Sequence, residues 1–124
     1  MKNKKKRRIH ITIKSTAKVF DEVLKTWNRA EKGLPVCEAE AELSFTDGAT
    51  MLSTLSEKRM ELLMFLHKHK AMNIKQLAKR LNRDYSNVHG DVKLLLRLGL
   101  LEKNKDQQVF VPWDELAIEF PLAA

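Results

Sequence analysis

Several features that direct a chain toward catalysis, secretion or a membrane are scarce here. There is one cysteine, Cys37, so no disulfide closes within the chain and no cysteine pair stands ready for zinc. It reads as a small, half-buried hydrophobe rather than a reactive thiol. Four glycines and three prolines supply no phosphate-cradling loop; the glycines fall at turns, at helix ends, or at Gly90. Long apolar runs are also missing. The stretch Ile9–Ile13 after the basic start is too short for a signal-peptide core or a membrane span, which predicts a cytoplasmic protein without membrane contact. The four histidines make no metal centre, because His67 and His69, two apart on a helix, point about 200° away from each other. His89 and Asp91 diverge in the same way, and Ser86 beside His89 lacks an evident orienting carboxylate or oxyanion pocket. The expectation is a binding protein rather than an enzyme, with no cofactor and no metal.

What is present is charge, unevenly placed. Residues 1–8 carry six Lys or Arg and no acid, and residues 9–55 carry five bases against seven acids. Residues 56–105 carry twelve bases against five acids, and residues 106–124 carry four acids and no base. The net charge of +7 over 124 residues is therefore concentrated in a short tail and one segment. Such a layout suits a module that binds a polyanion on a neutral or acidic support. A hydrophobic content of 44% is enough for a core.

Hydrophobic spacing organises the rest. Residues 1–8 read as a disordered basic arm. Residues 9–55 form an N-terminal extension: Ile9, Ile11 and Ile13 alternate with polar residues as in a strand, and Ser15 caps a helix over roughly 16–32 that ends at Gly33 and Pro35. Residues 34–45 fit a strand or an acidic linker as well as a helix, and 47–55 a short helix or turn. Residues 56–112 read more firmly. A helix capped by Ser56 or Thr54 runs to about Lys70, with Met60, Leu63, Met64 and His67 in one row and Leu62 and Leu66 beside it. Asn73 and Gln76 have capping-box spacing for a helix burying Ile74, Leu77, Ala78 and Leu81. After Asn82, Arg83 and Asp84, with Asp84 as N-cap, a longer helix covers Tyr85–Leu98 and ends at Gly99. Two short strands, Leu100–Lys103 and Gln108–Val111, follow around a polar tip. Residues 113–124 supply a last strand around Ala117–Phe120, or a tail, packing on the extension.

This order predicts a mainly α fold with a small β wing: a winged helix-turn-helix with a strand-helix extension. On a helical wheel Tyr85, Val88, Val92, Leu95 and Leu96 share a packing face, whereas Ser86, His89, Gly90, Lys93 and Arg97 collect opposite, without an acid. Asn87 can pair bidentately with adenine in the major groove, and Ser86 and His89 can meet bases or phosphates. Lys93 and Arg97 then meet the backbone. Lys75, Lys79, Arg80 and Arg83 can hold flanking phosphates, and Lys103 and Lys105 of the wing can reach a neighbouring groove. The expected function is a sequence-specific double-stranded DNA-binding regulator, a repressor, and Lys2–Arg8 can lie along the minor groove.

The stretch LAKRLNRDYSNVHGDVKLLLRLGLLEK (77–103) resembles the small prokaryotic winged helix-turn-helix regulators of the MarR-like kind. Within that group it is similar to short DNA-binding proteins with a Tyr-x-Asn-Val-His-x-Asp-Val recognition helix. KVFDEVLKTWNRAEKG (18–33) and LSFTDGATMLSTLSEKRMELL (43–63) extend the likeness to most of the chain. The resemblance implies DNA binding through Tyr85 and its neighbours, and for some members an antitoxin or autorepressor role beside a partner toxin. The sequence differs from the pattern at Gly90, where a basic residue is usual, and this favours the alternative reading, an antitoxin or other protein-interaction module that binds a partner toxin and has weakened DNA binding. One recognition helix reads few base pairs, so a homodimer is expected. Its surface falls to Phe20, Val23, Leu24 and Trp27 with Leu116, Ile118 and Phe120, although the same residues would also serve to cover the winged helix within one chain.

Overall fold

The computed structural model describes residues 7–33 and 41–122; Cys37, the rest of 34–40 and the arm before Arg7 lie outside them. In chain order the elements are β1 (Arg8–Ile13), α1 (Thr16–Glu31), β2 (Glu42–Phe45), α2 (Gly48–Thr54), α3 (Glu57–His69), α4 (Ile74–Leu81), α5 (Tyr85–Arg97), β3 (Glu102–Lys103), β4 (Val109–Phe110) and β5 (Glu115–Ile118). The chain is mixed α and β, and it divides into two units. One comprises Thr54–Glu115 with Met1–Arg7; the other comprises Arg8–Ser53 and Leu116–Ala124.

In the second of these units the alternation of β1 buries Ile9 and Ile11. β1 is the central strand of three, between β2 and β5. It pairs in parallel with β2, His10 opposite Glu42 and Ile13 opposite Phe45, so the described end of the ambiguous segment 34–45 is a strand. A parallel pair needs a crossover, and α1 lies in that connection. The Ser15 hydroxyl caps α1 by accepting from the Lys18 N–H at 3.2 Å. Gly33, at φ +69, turns the chain away through the left-handed region that glycine tolerates. Lys14 at the end of β1 donates to Glu22 of α1 at 2.9 Å and is paired with Glu42 of β2. Hydrogen bonding to Glu42 first and Glu22 second raises the Lys14 pKa above its ordinary value, and Lys14 in turn holds the Glu42 carboxyl below its own. Asp47 receives the Thr50 N–H at 2.7 Å, which holds its carboxyl low and caps α2. The last strand begins two residues earlier than expected. Phe120 lies beyond it, against the space that glycine leaves at position 48, where a Cβ would stand 2.5 Å from the ring.

The other unit is helical apart from a hairpin. Its core is Leu62, Leu63 and Leu66 of α3, Met72, Leu77 and Ala78, then Val88, Val92 and Leu95 of α5, closed by Leu100, Leu101 and Val109. Ser56 caps α3, its hydroxyl accepting from the Arg59 N–H at 3.4 Å. The expected row Met60, Leu63, Met64 and His67 is divided, because the buried arc is centred on Leu66 and Met64 and His67 face solvent. Asn73 and Gln76 form the reciprocal capping box of α4, which buries Leu77 and Ala78 while Ile74 and Leu81 are half-buried. β3 and β4 pair antiparallel but are shorter than expected, since Leu100 and Leu101 turn into the core instead of running along the hairpin. Gly99, at φ +80, allows that turn: Leu100 N–H returns to the Leu95 carbonyl at 3.0 Å, closing the end of α5.

Candidate nucleic-acid interface

α4 ends at Asn82, whose φ of 54° and ψ of 47° put it in the left-handed region, and the Arg83 N–H closes on the Ala78 carbonyl at 3.0 Å. The chain reverses in three residues and α5 begins at Tyr85. Asp84 occupies the N-cap position, yet its side chain makes no capping bond; the carboxylate stays in solvent, a correction to the expected cap.

α5 separates its two sides sharply. Val88, Val92 and Leu95 are fully buried, while Ser86, Asn87, His89, Gly90, Lys93 and Arg97 are exposed. Asp91 is the one acid of this helix. It is turned away from the exposed side, accepting from Arg59 Nε at 3.0 Å and from Arg83 Nη2 at 2.8 Å, and its side chain is 14% exposed. The result is an outer side of short polar and basic groups with no carboxylate. From Ser86 to Arg97 it is about 16 Å long.

Two expected roles change. Arg83 was expected on a flanking phosphate, but its guanidinium is committed to Asp91 and mostly covered. The Arg59–Asp91–Arg83 triad was not legible in the sequence. Arg83 lies outside the helical wheel that places Asp91, and Arg59 is 32 residues away from it. Tyr85 was expected to pack, yet it is 50% exposed, with its ring centroid 5.8 Å from that of His89. As the first residue of α5 its side chain points back toward the helix start and past the core.

On α4, Lys75, Lys79 and Arg80 are exposed. Lys75, Lys79 and Tyr85 border one depression, so the start of α5 and the flank of α4 share a surface. The Arg80 guanidinium lies 5.3 Å from the Phe65 ring centroid. Lys103 and Lys105 are exposed on the hairpin. Its tip is built on Asn104, whose side-chain oxygen accepts from the N–H groups of Asp106 at 2.9 Å and Gln108 at 3.0 Å. Two backbone bonds between Met72 and Val109, at 3.2 and 2.9 Å, tie this hairpin to the residue just before the α4 cap, a tether with no signature in the sequence pattern. Among the described residues Lys75, Lys79, Lys93, Arg97, Lys103 and Lys105 form no salt bridge. Where the basic arm joins this unit, Arg7 is fixed: its N–H donates to Asp114 at 2.8 Å, and its guanidinium sits 5.0 Å from the Trp113 ring centroid. Phe20, Val23, Leu24 and Trp27 belong to the other unit and are all exposed on α1.

The molecule is thus an α+β protein that presents a helix with an acid-free, polar and basic outer side. Residues 54–118, slightly more than half of the chain, match the HVO_A0114 family, and the chain belongs to that family. No curated protein and no solved structure matches it. No described helix is long and apolar enough to cross a membrane.

Proposed function

We propose that the Thr54–Glu115 unit is a winged helix-turn-helix and that the protein regulates transcription by binding double-stranded DNA, with α5 in the major groove. The observation that carries this is the withdrawal of Asp91 to Arg59 and Arg83. A carboxylate on the groove side would oppose every phosphate it approached, and the one acid within α5 is instead paired with two arginines on the inner side of the helix. Ser86, Asn87 and His89 then read base edges, and Lys93 and Arg97 hold the backbone. Lys75 and Lys79 from α4 and Lys103 and Lys105 from the hairpin extend the phosphate contacts to either side. Arg83 supports the helix and is not a phosphate ligand. The same geometry favours binding over catalysis, since His89 faces Tyr85 and the nearby carboxylate is engaged elsewhere.

Selection of bound sequences from a random duplex pool tests the proposal. Enrichment of one short motif by the wild type, relaxed at defined positions by Asn87→Ala, is the expected result. Recovery of an unenriched pool would remove base readout, and recovery of no DNA at low salt would remove the function.

A further inference from the structure

We propose that α1 pairs with α1 of a second copy of this chain, and that this pairing completes the helix. α1 is amphipathic and lies in the connection between two parallel strands, a position in which a helix normally buries its apolar stripe on the sheet. Here none of its 16 residues is buried. Val19, Phe20, Val23, Leu24 and Trp27 occupy one face at three- and four-residue steps and are 38–65% exposed. A helix of this length is marginal in water without packing, and two valines and two aromatic residues lower its intrinsic propensity further.

The charge layout selects the partner. Lys18, Lys25 and Arg29 balance Asp21, Glu22 and Glu31, so α1 is neutral, and its cations lie away from the apolar stripe. The acids nearest the stripe are both engaged, Glu22 with Lys14 and Glu31 with the Trp27 indole N–H at 2.8 Å. An anionic lipid surface or a strongly charged protein finds no complementary field at this face, whereas an identical face meets no repulsion. Area points the same way. With about 150–250 Å² for each aromatic side chain and somewhat less for each aliphatic one, the exposed part of the stripe amounts to roughly 400 Å² per copy. Two copies remove roughly 800 Å² of stripe from water, the size of a weak, transient interface rather than the standard one of about 1,200 Å² and above, which fits a dimer that forms at micromolar concentration. Phe20 and Trp27 lie symmetrically about Val23 and Leu24, so an antiparallel pair sets Phe20 of one copy against Trp27 of the other and opposes the two helix dipoles. Such a contact is twofold and self-limiting.

Sedimentation equilibrium of the full chain from low to high micromolar concentration is expected to show a monomer–dimer equilibrium, with helical ellipticity rising as dimer forms. Trp27→Glu and Phe20→Glu are each expected to weaken dimerisation at least a hundredfold while leaving the urea unfolding of the Thr54–Glu115 unit unchanged, because neither side chain is buried in one copy. In a Cys37→Ser background, Val23→Cys is expected to cross-link to itself and Trp27→Cys is not. A wild type that stays monomeric, a dimer indifferent to both glutamate variants, or a monomer whose α1 becomes helical only on phosphatidylserine vesicles would each overturn the proposal.

Discussion

Replacing Asp91 by alanine removes the shared partner of two arginines whose side chains are only 25% and 18% exposed. Breaking a buried ion pair by deleting one partner costs about 3–5 kcal/mol, because the remaining charge is left uncompensated. Partial access to solvent reduces this, and about 3 kcal/mol is the expected loss. A unit of this length has a total stability of roughly 3–9 kcal/mol, so Asp91→Ala removes from about a third to all of it. The midpoint of thermal unfolding should fall by about 12–24 °C, at 4–8 °C per kcal/mol. Urea unfolding followed by far-ultraviolet circular dichroism and by the fluorescence of Trp113, whose indole donates to the Gly99 carbonyl at 2.9 Å, measures the loss. Replacing all three members by apolar residues of similar size, Arg59→Met, Asp91→Leu and Arg83→Met together, should recover most of it. A loss for Asp91→Ala below about 1 kcal/mol, the range of exposed pairs, would refute the claim that the triad locks α3, the turn and α5 together.

Other perturbations have opposite or bounded effects. At Gly90 no atom lies within 4 Å of an added Cβ, so Gly90→Ala should stabilise α5 by up to about 1 kcal/mol, whereas Gly99→Ala at φ +80 should cost about 1–2 kcal/mol; paired urea curves compare them. Gly90→Arg places a cation on the open side of α5 and should tighten duplex binding in a gel-shift titration; weaker binding would show that the backbone needs close approach there. Stability of the β1–α1–β2 unit should depend on pH through the Lys14 cluster. Because the Glu42 carboxyl is depressed, its contribution is present above its ordinary value of 4.5 and is lost as pH falls through the lower folded value. Because Lys14 is raised, its contribution is present below 10.5 and is lost as pH rises through the higher folded value. Melting curves across both ranges should show the acid limb flattened by Glu42→Gln and both limbs flattened by Lys14→Met.

How far the sequence revealed this molecule depends on the range of the forces involved. Local signals were legible: the alternation of Ile9, Ile11 and Ile13, the Asn73–Gln76 box, the helix stop at Gly99, and the polar outer side of α5. Each is set by neighbours within a turn or two. Long-range pairings were not. Nothing in the period around Glu42–Phe45 distinguishes a strand until β1 is there to pair with it. The bridge between Met72 and Val109 and the meeting of Arg59 with Asp91 join residues far apart in the chain. Charge counting placed Arg83 among the phosphate contacts because a basic residue in a turn looks free; only the folded chain brings a carboxylate to it. Tyr85 misled for a related reason, since a wheel treats the end of a helix like its middle.

The central claim is that α5 holds a phosphate backbone through Lys93 and Arg97, and the salt dependence of duplex binding tests it most directly. Each phosphate contact contributes roughly −0.9 to the slope of log K against log salt on B-form DNA. The wild type should bind with a steep negative slope, and Lys93→Ala with Arg97→Ala should make it shallower by about 2 without altering the unfolding curve. An unchanged slope in the double variant, or no binding by the wild type at low salt, would contradict the account.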